Sequence, residues 1–183
     1  MTAPFHRLLA FYSNRNQDDT QTIRLQDSLR GNLALGLDFP VALGIAVGRH
    51  LFLKNTGLFS LNIHVPSVSW KETPLHGVEV DEKKEYTMSE VMGMAREKKG
   101  PFGAVDGMGV WSLAADVKTG LVKGEDIVGF QEGRLFERIE KRRKDRNQVL
   151  PLWRGGPISV TGHSWMVKKM FGVNVYRDDD KDD

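Results

Sequence analysis

Residues 11–37 read FYSNRNQDDTQTIRLQDSLRGNLALGL, a polar loop holding one aliphatic residue and followed by helical spacing. Calcium loops of the EF-hand kind draw ligands from positions 1, 3, 5, 7, 9 and 12, with glycine at position 6. Placing Ile23 at the aliphatic position 8 puts Asn16, Asp18 and Thr20 at positions 1, 3 and 5. Gln21 then replaces the glycine, and Asp27 stands where a bidentate glutamate belongs. Aspartate is one methylene shorter and does not grip the ion with both oxygens. The stretch therefore reads as a helix–loop–helix whose loop is degenerate, with no tight calcium site. After it, Leu25, Leu29 and Leu33 recur every four residues, which is helical spacing.

The flanking chain is that of one ordinary globular domain. Its 183 residues carry 26 basic and 24 acidic side chains, a formal charge of +2, so the whole chain carries no strong electrostatic instruction. Residues 1–176 read as a single domain, and the acidic end 177–183, RDDDKDD, as a disordered tail. The chain has no cysteine, which removes disulfides, zinc thiolates, iron–sulfur clusters and thiolate-ligated haem. The first residues contain no apolar run of secretory-signal length, so an intracellular, cytoplasmic protein is expected.

Residues 33–53, LALGLDFPVALGIAVGRHLFL, are the most apolar, but Asp38, Arg49 and His50 interrupt them. A bilayer span needs about 20 uninterrupted apolar residues. A helix starting at Asp38 and Pro40 fits better, whether as core, as an interfacial helix or as the wall of a greasy ligand pocket. Further on, the pattern predicts a hairpin or short strands around a turn at Asn55 to Gly57. A capping box of Thr87 and Glu90 opens a helix that Gly100 and Pro101 stop. A second helix is expected over 105–116, then a turn at DVKTG and helix over 125–146 with a break near Gly133. A strand over 158–160 and a last helix ended by Gly172 complete the reading. The expected class is mainly α with a small β element.

These pieces resemble caleosins in collinear order over residues 8–145. Asp27, Ser28, Gly31 and Gly36 match the layout that follows the caleosin calcium loop. NIHVPS, 62–67, is similar to the family's NIH segment, and residues 86–137 resemble its C-terminal half, with Trp111, the turn at 116–120 and the ending EGRLFE. The resemblance implies two degenerate EF-hand-like helix–loop–helix units around an apolar pocket. It also implies a protein peripheral on the endoplasmic reticulum or lipid droplets, and peroxygenase chemistry with haem held by histidines. His64 occupies the position of the NIH histidine. The other family histidine position is Leu8 here, with His6 two residues earlier, a shift that turns a helical side chain by about 200°. His76 is an alternate ligand.

Several functions follow as expectations. The first is transfer of oxygen from a hydroperoxide to an apolar small molecule or lipid, with haem at His64 and a contribution from His6. The second keeps the fold without iron, as a redox-neutral cyclase or isomerase. Its pocket is lined by Leu43, Met92, Met108 and Trp111, and Asp38 and Arg49 orient or protonate the substrate. The third is a non-enzymatic coat on lipid droplets. The basic run at 134–146 alternates with Leu135, Phe136 and Ile139, which fits a solvated amphipathic helix, with an anionic membrane surface as the alternative, better than a nucleic-acid surface.

Overall fold

The computed structural model describes residues 3–57 and 60–176; the acidic tail at 177–183 lies outside the described residues. Helix α1, Pro4–Ser13, opens with proline, whose fixed φ suits the first helical turn. The loop that follows leads through a two-residue strand β1, Thr22–Ile23, into α2, Leu25–Ala34. Asp27 closes the start of α2 by accepting a hydrogen bond from the Arg24 amide at 2.9 Å. Gly31 lets α1 lie against α2, because a Cβ there would sit 2.4 Å from the Tyr12 ring.

Helix α3, Phe39–Leu53, begins where Asp38 accepts from the Phe39 amide, and so the expected start at Asp38 and Pro40 is correct. Of the hairpin or short strands expected in this stretch, a short strand forms among the described residues: β2, Ile63–His64, pairs antiparallel with β1, setting Ile23 opposite Ile63. Asn55 completes that edge: its side chain accepts from the His64 amide and donates to the His64 carbonyl. The strand pairs at long range rather than across the turn because the apolar partner of Ile63 lies forty residues upstream.

Strand β3, Glu85–Tyr86, leads into α4, Met88–Ala114, through the predicted capping box of Thr87 and Glu90. Helix α4 is two helices, since Lys99 and Gly100 leave helical angles and Gly100 has φ 65°, ψ −152°. The two halves fold back on each other. A Cβ on Gly103 would lie 2.1 Å from the Ala95 carbonyl, and one on Gly107 2.9 Å from that of Val91. Strand β4, Val122–Lys123, pairs with β3 and enters α5, Gly124–Gln131. The turn before it is held by Asp116, which accepts from the Lys118 and Thr119 amides, and by the Trp111 indole, which donates to the Gly120 carbonyl.

After α6, Leu135–Arg143, the chain runs to α7, Val160–Phe171. The strand expected over 158–160 is absent: Ile158 is exposed, and the Ser159 hydroxyl caps α7 instead. Two apolar clusters result. One joins α1, the strands and α4 to α6; the other joins α2, α3 and α7. Arg143, fully buried, donates to the carbonyls of Leu35, Leu113 and Gln148, and burial lowers its pKa to about 10.

The contact between the halves of α4 leaves no room for a methyl group. Gly103→Ala is expected to cost about 1–3 kcal/mol by overpacking. Gly109→Ala meets open space on the same helix and is expected to stabilise by about 0.5–1 kcal/mol. Urea unfolding of the two variants distinguishes close approach from ordinary helix propensity.

Candidate functional site

The pairing of β1 with β2 delivers the next residues, 65–71, to the side of α1. A 3-10 turn at Val65–Ser67 packs there, and the Phe5 amide donates to the Lys71 carbonyl at 3.0 Å. This short segment collects both histidines implied by the resemblance. His64 Nδ1 shares a hydrogen bond of 2.8 Å with the Ser67 hydroxyl. His6, buried in the first turn of α1, donates from Nε2 to the Val68 carbonyl at 2.9 Å.

The same segment walls two cavities on either side of Trp70. The larger, about 540 Å³, is lined by Phe5, Trp70 and Pro74, with Lys71, Lys99 and Asp106 among its polar groups. Phe5 and Trp70 pack with ring centroids 5.8 Å apart. Lost hydration raises the Asp106 carboxyl above its ordinary pKa, with Lys99 opposing. The smaller, about 150 Å³, is lined by Phe52, Leu53, Ser67, Val68 and Trp70 among others. An apolar surface with a few convergent charges is the usual make-up of a small-molecule site.

The smaller cavity opens beside the end of α3, and α3 is unusual. Of its residues only Ala42, Ala46 and His50 are buried. Val41, Ile45, Val47 and Leu51 are exposed, and Phe52 is 86% exposed. Gly44 and Gly48 in the same helix would meet nothing if they carried a side chain. A helix apolar on nearly all sides with half its surface in water marks an interaction site. Among the described residues no helix is long and apolar enough to cross a membrane.

The remaining expected site residues are placed elsewhere. Asp38 and Arg49 lie eleven residues apart on one helix, about 16 Å along its axis. Asp38 caps α3 and accepts from His163 Nδ1 at 3.2 Å. Arg49 lies over the Tyr12 ring at 3.8 Å and donates to the Tyr12 hydroxyl and the Asn32 side-chain carbonyl, tying α3 to α1 and α2. Leu43 packs on the α2–α3–α7 cluster, whereas Trp111 belongs to the other. Met92 is half-buried and Met108 is 44% exposed, and neither they nor Leu43 and Trp111 line the cavities beside Trp70. His76 is exposed beside Glu72.

The oxygens of the degenerate calcium loop are committed to the chain itself. Asn16 accepts from the Asp18 and Asp19 amides and donates to the Thr22 carbonyl. Asp18 pairs with Arg24, Asp27 caps α2, and Thr20 is exposed. His6 directs Nε2 to the Val68 carbonyl, and neither His6 nor His64 is among the residues that line the two cavities. Phe5, Trp70 and Asp106 escaped the sequence reading. Trp70 sits in a stretch without periodicity, and its neighbours in space come from residues far away in the chain.

No family model, curated protein or solved structure matches the chain.

Two other histidines are buried neutral. His50 donates from Nδ1 to the Leu61 carbonyl and accepts from the Ser28 hydroxyl at 2.9 Å, while His163 pairs with Asp38. Burial lowers the pKa of both. A depressed folded-state pKa means that the unfolded chain binds protons first as pH falls. Stability is therefore expected to be level above about pH 6.5, the free imidazole value, and to drop below it. Thermal melting across pH 7.5 to 5 checks this; the His50→Gln/His163→Gln double variant is expected to flatten the slope over that window.

Proposed function

We propose that the chain is a caleosin-like enzyme that works peripherally at a lipid surface and acts on an apolar small molecule or lipid held beside Trp70. One observation carries this reading. The exposed apolar face of α3 ends at Phe52, and Phe52 is a wall of the small cavity that adjoins Trp70. An apolar molecule leaving a lipid surface along α3 meets Phe52, then Trp70, then the larger cavity with Phe5. An exposed apolar surface of this extent is of the kind that meets a membrane or another apolar partner.

The chemistry in the cavity supports a redox-neutral rearrangement. Asp106, its pKa raised by lost hydration, takes a proton from a carbon next to a substrate carbonyl. In a β,γ-unsaturated carbonyl compound the electron pair of that C–H bond forms a new C=C while the carbonyl π pair moves onto oxygen; as the carbonyl re-forms, the same proton returns at the γ-carbon and the C=C ends beside the carbonyl. The Lys71 and Lys99 ammonium groups of the same cavity stabilise the oxyanion that forms between the two steps. Nothing is oxidised or reduced overall.

The two strand pairs support an EF-hand ancestry for the scaffold. In each of three loops an acid follows the buried strand residue by four: Asp27 after Ile23, Glu90 after Tyr86, Asp126 after Val122. Each acid has an internal partner. Asp27 takes the Arg24 amide, Glu90 takes Lys84 and Thr87, and Asp126 takes Arg142. Calcium or a chelator is expected to leave the melting temperature unchanged, since no acid is left to spare for an ion; a rise of several degrees with calcium contradicts this.

Oxygen transfer with haem on His64 is the second reading. In its favour, Ser67 fixes the His64 ring through Nδ1, as the outer partners of ligating imidazoles do. Loading the protein with haemin decides between the two: the redox-neutral reading expects no sharp Soret band, and a band abolished by His64→Ala establishes the oxygenase.

Two measurements test the proposal itself. Ile45→Glu/Phe52→Glu, at exposed positions, is expected to reduce flotation with phosphatidylcholine vesicles by about tenfold without altering the fold. Trp70→Ala is expected to weaken binding of cis-parinaric acid by about tenfold. A protein that stays in solution beside vesicles removes the surface reading; unchanged parinaric acid binding removes the cavity.

A further inference from the structure

The basic run at 134–146 builds more than a solvated helix face. On α6, Leu135 and Ile139 turn into the core, while Arg138, Lys141 and Arg142 flank a cleft of about 540 Å³ facing Lys123 and Asp116. Leu121 and Ala114 supply its apolar part.

The acids of this cleft are occupied. Asp116 accepts from the Lys118 and Thr119 amides and from the Gln148 side chain, and these bonds hold its pKa near 2. Glu125 pairs with Arg138 at 2.8 Å, and buried Asp126 pairs with Arg142. Asp145 accepts from the Asn147 amide and side chain. Behind the cleft, Arg143 and Arg154 interact with Asp116. The lining itself carries four cations, Lys123, Arg138, Lys141 and Arg142, against three acids, Asp116, Glu125 and Asp145. Arg138 and Arg142 are held by Glu125 and Asp126, whereas Lys123 and Lys141 line the cleft in no salt bridge among the described residues, Lys123 being only a lesser influence on Glu125.

We propose that this cleft is a binding site for a phosphate monoester, a dianion that the two lysine ammonium groups, neither in a salt bridge among the described residues, can take between them. At neutral pH such a group carries about −1.5 to −2 charges and three strong acceptor oxygens. Lys123 and Lys141 take the phosphate oxygens from opposite walls, and Arg138 and Arg142, already fixed by carboxylates, set a rigid basic floor. The apolar strip at Leu121 and Ala114 accommodates the group's organic part. The phosphate can belong to a lipid headgroup of the phosphatidic acid kind or to a water-soluble phosphate ester. The cleft is lined by none of the residues assigned to the Trp70 cavities or to α3, so the inference stands apart from the proposed enzyme.

The test uses the full chain and two soluble probes, dihexanoyl phosphatidic acid below its micellar concentration and glycerol 3-phosphate. Titration calorimetry is expected to show binding of the first, absent for dihexanoyl phosphatidylcholine, and weakened by about tenfold in Lys123→Glu/Lys141→Glu. Added salt and a fall in pH through about 6, the second phosphate pKa, are expected to weaken it too. If glycerol 3-phosphate displaces the lipid, the site accepts free esters; if it does not, the site requires the acylated headgroup. Equal binding of both lipids, or equal binding by the double variant, overturns the proposal. Lys123→Gln/Lys141→Gln repeats the test should the charge reversal alter the melting curve, and flotation on phosphatidylcholine through α3 is expected to be the same in all variants.

Discussion

Two backbone pairings, Ile23 opposite Ile63 and Tyr86 opposite Val122, fix the positions of everything else in the fold. The first has the larger consequences. Both isoleucines are fully buried, so the pair cannot slip by one residue without turning an apolar side chain outward. Once β2 is fixed, the chain beyond it has only one direction in which to leave. It passes along α1, where Val68 meets His6, Lys71 meets the Phe5 amide, and Trp70 stands between two cavities. Neither strand is long, yet the site depends on them.

The helices around those strands start in a repeated way. Each enters directly after a buried strand residue, and a polar side chain four positions later closes its first turn or pairs there. The 3-10 turn after Ile63 follows the same rule with Ser67, which bonds His64. In this chain each of these acids has an internal partner at the start of its helix or beside it.

Much of this architecture was legible in the sequence. Capping at Asp38, at Thr87 with Glu90 and at Gly172, and the break at Gly100, are local signals, and the structure has each of them. The long-range pairing was not legible, because two-residue strands carry no period and Ile63 finds its partner forty residues away. The site was missed for the same reason. His64 and His6 stood out as residue types, but Trp70 and Asp106 gain meaning only when α1, the 65–71 segment and the turned-back α4 meet. Asp38 and Arg49 stood out as charges on a greasy helix, and their hydrogen bonds cap that helix and hold it to its neighbours.

The proposed function requires a path from the exposed face of α3, past Phe52, to Trp70. A diazirine-bearing fatty acid supplied in phosphatidylcholine vesicles and photolysed would record that path as cross-links mapped by mass spectrometry. The account predicts labelling concentrated on residues 41–53 and on the 67–74 segment, with Phe5 the most distant site reached. Labelling confined to Trp153 and Trp165, which are exposed on other elements, or scattered evenly over the surface, would contradict it.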